Sequence, residues 1–350
     1  MDDGHHDLGH HGDVDAEPGL VDFAVNVQGV GPPRWLRDRI AAVLDDLGRY
    51  PSAAHDRAAR SAVAARHGRR PDEVLVLAGS AEGFALLPAL RPRLAAVVHP
   101  GFTEPEAVLR AADVPVVRVF TDVADGHRLH PEAVPPDADL VVVGNPSNPT
   151  GVLHPAADVR ALAAPGRVVV VDEAFADAIP GEPESLAAHR IEGVLVLRSL
   201  TKTWALAGLR AGYAIGAPEL LARLAAPRPH WPVSTLALEA VVACSEPAAV
   251  AESQLAARRL VEARAAQAAA LATVPGIDVQ PGQAPFLLLR LPDGQGERVR
   301  AALRAAGIAV RRGDTFPGLG PDHVRVVVRP APLVTLLVGA LTEALAEVRA

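Results

Sequence analysis

The sequence predicts an α/β protein, with a large domain built on a mostly parallel sheet sandwiched by helices and a smaller C-terminal α+β domain. Three observations predict it. Short apolar, β-branched runs alternate with Ala/Arg-rich segments of helical spacing along much of the 350-residue chain. Several runs, such as Val168-Val-Val-Val-Asp172, are apolar on both faces, as interior parallel strands are. The length also exceeds the roughly 250–300 residues at which a single core stops growing.

In chain order, residues 1–44 read as an N-terminal arm packed with the small domain, 45–230 as the large domain and 231–350 as the small one. The start is polar, and its histidines (His5, His6, His10, His11) read as a mobile arm rather than a metal site. Strands are expected at 74–78, 95–98, 115–119, 140–143, 168–172, 194–198 and 211–215. The Pro-rich stretch 225–232 reads as the exit from the large domain. Residues 234–273 are Ala-rich with helical spacing, broken near Pro247, and read as long linking helices. Strands near 285–291, 308–312 and 323–329 and a helix at 333–348 complete the small domain.

Composition excludes several classes. Net charge is −7 with no basic tract, which argues against nucleic acid. No apolar run reaches the ~20 residues of a membrane span. The start Met-Asp-Asp-Gly-His-His lacks the features of a signal peptide, so the cytoplasm is expected. The one cysteine, Cys244, allows no intrachain disulfide and reads as a small buried hydrophobe.

The chain has 33 arginines and a single lysine, Lys202. Arg stays protonated at ordinary pH, whereas a lysine amine can lose its proton and attack a carbonyl, so Lys202 is a candidate Schiff-base lysine. It lies in Arg198-Ser-Leu-Thr-Lys-Thr-Trp-Ala-Leu-Ala-Gly-Leu-Arg-Ala-Gly-Tyr213. Ser199, Thr201 and Arg210 beside such an amine suit a phosphate anchored near it. That combination is what pyridoxal phosphate (PLP) requires. Asp172 ends a buried strand, where ligands of parallel sheets bind, and can keep a pyridine nitrogen protonated; its alternative is a helix cap. Asn148 follows a second buried strand in Leu140-Val-Val-Val-Gly-Asn-Pro-Ser-Asn-Pro-Thr-Gly151 and is placed to bond a phenolic oxygen; its alternative is turn chemistry. Gly79-Ser80-Ala81 joins a strand to a helix start, whose backbone N–H groups bind phosphate.

Together these segments resemble the aspartate-aminotransferase superfamily of PLP enzymes, fold type I, over nearly the whole chain. The resemblance implies PLP on Lys202, with Asp172 on the ring nitrogen and Asn148 on the phenolate oxygen. It implies Ser80, Ala81, Ser199 and Arg210 around the phosphate and Phe102 stacked on the ring. It implies a homodimer in which Tyr50 reaches the partner's cofactor phosphate. Substrate contacts fall to Arg325, with Arg329, Asn26 and His11 beside it, and a phosphate grip is expected among Arg311, Arg312, Arg325 and Arg329.

Two subgroups are similar, and both act on small phosphorylated amino acids or amines. His11-Gly-Asp13, Val21-Asp-Phe-Ala-Val-Asn26, Phe175 in place of a tyrosine, and the tail through Arg329 resemble the threonine-phosphate decarboxylase of cobalamin synthesis. Histidinol-phosphate aminotransferase is the alternative. Two other classes compete: a dinucleotide-binding protein, which lacks the three-glycine turn and leaves Lys202 unexplained, and a catalytically idle binding module on the same fold.

Overall fold

The computed structural model describes residues 7–349; His5 and His6 lie outside the described residues. The first strand is β1 (Val21–Asp22). Next come β2 (Val74–Leu77), β3 (Ala95–His99), β4 (Val116–Phe120), β5 (Leu140–Gly144), β6 (Val168–Asp172), β7 (Val194–Ser199) and β8 (Gly212–Ile215). Strands β2 to β8 form one seven-stranded sheet in the order β2-β8-β7-β6-β5-β3-β4. Only β8 runs against its neighbours β2 and β7; the other pairings are parallel.

The strand sequences explain this sheet. Alternate residues point to opposite faces. Val141, Val143, Val169, Val171 and Val196 enter one core; Leu140, Val142, Val170, Leu195 and Leu197 enter the other. The first core is closed by helices Ala53–His67 and Thr235–Ser245, the second by Glu104–Ala111 and Pro218–Ala225. Helix Ala53–His67 starts where Ser52 Oγ accepts the His55 N–H at 3.1 Å, and ends at Gly68, which takes the left-handed conformation a C-terminal cap requires.

A second body follows. Strands β9 (Asp278–Val279), β10 (Phe286–Arg290), β11 (Ile308–Ala309), β12 (Arg311–Arg312) and β13 (His323–Val327) belong to it. An antiparallel sheet runs β12-β13-β10-β9, while β11 pairs in parallel with β1. The single strand expected at 308–312 is therefore two, since its halves bond different partners on either side of Val310. Helix Pro247–Leu271 spans both bodies. Ala249 lies in the first core of the main sheet, and Leu271 lies in the core formed with Leu287, Leu289, Val324 and Val326. Its 25 residues cover about 37 Å.

The arm differs from expectation. From Asp7 onward it is held to the body rather than loose: Thr103 Oγ1 donates to Leu8 O at 2.8 Å and Arg311 Nη2 to His10 O at 2.7 Å. It also divides. Residues 21–22 join the small body through β1, but helix Arg34–Ala41 packs on the main sheet, because its apolar stripe puts Leu36 in that core and Trp35 edge-on to Trp204 at 5.5 Å. Among the described residues no cluster suits a metal ion; His10 pairs with Asp15 and His11 with Glu104, each at 3.1 Å. Among them, too, no helix is long and apolar enough to cross a membrane.

Candidate active site

The parallel strands end at one edge of the main sheet, and the loops leaving them converge there. After β2 the chain turns at Gly79, with φ of +83°. A Cβ at Gly79 would lie 2.7 Å from Arg210 Nη2, and one at Gly212 would lie 3.0 Å from Ser80 N. Glycine is required at both places for Ser80, Ala81 and Arg210 to close on one another. After β3 comes Phe102, whose ring lies 5.9 Å from Phe84 and 5.6 Å from His11. After β5 comes buried Asn148, whose Oδ1 accepts Arg325 Nη1 at 2.6 Å. β6 ends in Asp172, whose Oδ1 accepts the Ala174 N–H at 3.1 Å. β7 ends in Ser199, 2.7 Å from Thr201 Oγ1, and leads to Lys202.

These residues line one cavity of about 450 Å³. Of the residues expected from sequence, Lys202, Asp172, Ser80, Ala81, Phe102, Asn148, Ser199, Arg210, Asn26, Arg325 and His11 all reach it. Tyr50 and Arg329 do not. Tyr50 is exposed and stacks on Trp231 at 4.2 Å. Arg329 donates to the carbonyls of Asp22, Val27 and Val25 at 2.8, 2.9 and 3.3 Å, so its guanidinium holds the arm instead of facing the cavity. Arg312 pairs with Asp314.

Of the four tail arginines among which a phosphate grip is expected, Arg311 and Arg325 line the cavity, and the cavity also contains residues the sequence did not single out for the site: Asp13, Phe84 and Phe316. Arg311 is buried, and its guanidinium sits 4.6 Å over the Phe316 ring. Register brings it there, because Arg311 on β12 lies opposite Arg325 on β13.

Burial sets the charges. It is the largest cause lowering the Lys202 amine to about 8, and Arg325 and Arg210 add to it. The amine therefore loses its proton close to neutral pH, as a nucleophilic lysine must. Burial likewise raises the Asp172 carboxyl to about 6. It lowers Arg325 to about 9, with help from Arg311.

The residues fit PLP. Lys202 presents an amine for the aldehyde. Asp172 is a desolvated carboxylate to which a protonated ring nitrogen would bring charge. Asn148, with Oδ1 held by Arg325, keeps its N–H donors for a phenolate oxygen. Ser80, Ser199 and Arg210 make a tight polar cradle.

The sequence model of aminotransferase class I and II matches residues 19–341. The chain belongs to this family. It is a PLP-dependent enzyme of fold type I. Histidinol-phosphate aminotransferase of Mycobacterium bovis is 53% identical over 334 residues, which cover 95% of this chain and 90% of that one. Threonine-phosphate decarboxylase of Salmonella typhimurium is 32% identical over 338 residues, covering 93% and 91%. The crystal structure of histidinol-phosphate aminotransferase from Clostridium acetobutylicum superposes with a TM-score of 0.85 at 25% identity, covering 93% and 98%. The sequence motifs favour a decarboxylase; the relatives reverse that order, at 53% against 32%.

Proposed function

We propose that this family member is an aminotransferase that passes the amino group of a phosphorylated amine of the histidinol-phosphate type to a 2-oxo acid. The convergence of Lys202, Asp172, Asn148 and Arg325 on one cavity carries the reaction class. The 53% identity over 95% of the chain ranks the substrate.

Bound PLP supplies an aldehyde for an amine and a ring that accepts electrons released at the substrate's Cα. The chain supplies the remainder. Lys202, whose amine is brought down to about 8, would hold the cofactor through its aldehyde, and its amine is the group that would carry the substrate's Cα proton. Asp172 would pair with the ring nitrogen and hold positive charge there. Asn148 would donate to the phenolic oxygen while its own oxygen accepts from Arg325. Arg325 and Arg311 offer buried guanidiniums to the anion of either substrate, and the buried Arg325 Nε has no hydrogen-bond partner among the described residues. Those guanidiniums would orient the substrate's anionic group, leaving its Cα proton within reach of the Lys202 amine.

Phe175 favours a second reading, decarboxylation of threonine phosphate. Its ring lines the cavity edge-on to Phe286 at 5.1 Å and brings no hydroxyl to the phenolate oxygen. Purified protein should form glutamate from histidinol phosphate and 2-oxoglutarate and release no carbon dioxide from O-phospho-threonine. Carbon dioxide release that needs no oxo acid would overturn transamination in favour of the decarboxylase.

The same residue makes a spectroscopic prediction. Phe175→Tyr adds a donor beside the phenolate oxygen and stabilises its deprotonated form. The visible-band titration of the bound cofactor should move to lower pH with affinity intact. An unmoved titration would mean that residue 175 does not reach the ring.

We further propose a homodimer whose two sites each receive Tyr50 from the other chain. Tyr50 is exposed, stacked on the exposed Trp231 and near in sequence to the exposed Leu44 and Leu47, a set of apolar groups suited to burial against a copy. Sedimentation at micromolar concentration should show a dimer. A fully active, cofactor-loaded monomer would refute it.

A further inference from the structure

We infer that Arg198 is a positioning residue: by locking the loop after β6 to β7, it sets where Asp172 and Lys202 stand relative to each other. The inference rests on the cofactor roles proposed for those two residues and is independent of the choice of substrate.

Strand alternation sets the arrangement. Asp172 follows the side-chain row of Val170, and Ser199 that of Leu197, on one face of the sheet. Arg198 falls on the opposite face with Val196. The ladder continues past β6, since Glu173 N donates to Leu197 O at 2.9 Å. Behind the two cavity residues, Arg198 Nη1 therefore meets Glu173 Oε2 at 2.9 Å and Glu182 Oε2 at 2.7 Å, and Nη2 bonds Asp177. Glu173 is the immediate neighbour of Asp172, and Ser199 the immediate neighbour of Arg198. One fully buried guanidinium thus joins both strand ends, four residues before Lys202 on one and, through Glu173, one residue after Asp172 on the other. Glu173 is fixed from its other side by Ser185 Oγ and Leu186 N, each at 2.6 Å.

The groups facing this cluster are Arg66, Arg198, Glu173, Asp177, Glu182, His67 and Tyr213. Arg66 reaches Asp177 at 2.6 Å and Glu182 at 3.1 Å. Burial, followed by the nearby guanidiniums, pushes His67 down to about 2, so it stays neutral, and its Nε2 lies 2.9 Å from the Tyr213 hydroxyl. Burial raises the Tyr213 phenol, which also stays neutral. Three carboxylates then face two guanidiniums. Apolar packing of the same volume often stabilises a core as well as such a cluster does. What the cluster adds is a directed clamp. A lysine ammonium is a point charge on a flexible stem and cannot span three carboxylates as a planar guanidinium does.

The test uses Arg198→Lys, Arg198→Met and the double variant Arg198→Met/Glu173→Gln, each loaded with PLP. Three quantities are read: kcat, the affinity of apoprotein for PLP, and the pH midpoint of the bound cofactor's visible band. Arg198→Lys keeps the charge but loses the clamp, so the midpoint should hold while kcat falls about 10–100-fold, the effect of an ångström-scale misplacement. Arg198→Met removes positive charge, so the midpoint should rise and kcat fall. Adding Glu173→Gln should return the midpoint but not kcat. If Arg198→Met does not fold, Arg198→Lys decides. An Arg198→Lys enzyme with parental kcat, affinity and midpoint would overturn the inference, as would a loss of thermal stability with kcat per bound cofactor unchanged. If the parent lacks transaminase activity, the proposed substrate fails, but the affinity for PLP still decides: a weaker affinity of Arg198→Lys with the fold intact supports the inference, and a parental affinity overturns it.

Discussion

Replacing Lys202 with arginine should reduce turnover by at least about 10⁴-fold while leaving the fold intact. The guanidinium keeps its proton at any ordinary pH, so it can neither attack an aldehyde nor collect a proton from Cα. The side chain it replaces sits among Arg325, Arg210 and buried walls that together bring its amine to about 8. Arginine there would add a permanent positive charge to a cavity already lined by Arg210, Arg311 and Arg325. PLP affinity should fall as well. Borohydride reduction of the loaded parent, followed by peptide mapping, should place a pyridoxyl group on Lys202, the one lysine in the chain. A Lys202→Arg enzyme that kept turnover would remove the central residue of the proposed mechanism.

Asp172→Ala should lower turnover by about 10²–10³-fold and weaken PLP binding, since a preorganised charge is lost from the ring nitrogen. The apoprotein offers a second measurement. Burial raises the folded carboxyl to about 6 from the usual 3.8. A raised folded value favours the protonated carboxyl, so the associated stability is complete below about pH 4 and is lost as pH rises through about 6. The loss should be at most about 3 kcal/mol between pH 4 and 7. Denaturant unfolding of parent and Asp172→Asn apoproteins at those two pH values isolates it: the parent should lose stability that the variant keeps. Near-normal turnover of Asp172→Ala would mean that the carboxylate only caps the Ala174 N–H.

Much of this protein is legible along the chain because its determinants are local. Runs such as Val168–Asp172 and Val194–Ser199 are apolar on both faces, and a strand buried on both faces needs that pattern wherever it lies in the fold. Lys202, Asp172, Asn148 and Ser80 were readable for a related reason. Each sits at or just beyond the end of a buried strand, and the loops at the carboxyl ends of parallel strands converge. The uniqueness of Lys202 is a property of composition alone. The tertiary structure decided what depends on distant partners. Arg311, Arg325 and Arg329 share one kind of surrounding in sequence, yet the first two enter the cavity and the third holds the arm, because the β12–β13 register and the carbonyls of residues 22–27 assign them. Asp13 reaches the cavity only because the arm is pinned by Thr103 and Arg311. The strand expected at 308–312 splits for the same reason, its two halves answering to β1 and β13. Side-chain periodicity states which face of an element is buried; it carries no information about which remote residue will meet that face, and that pairing places two of the four tail arginines at the cavity.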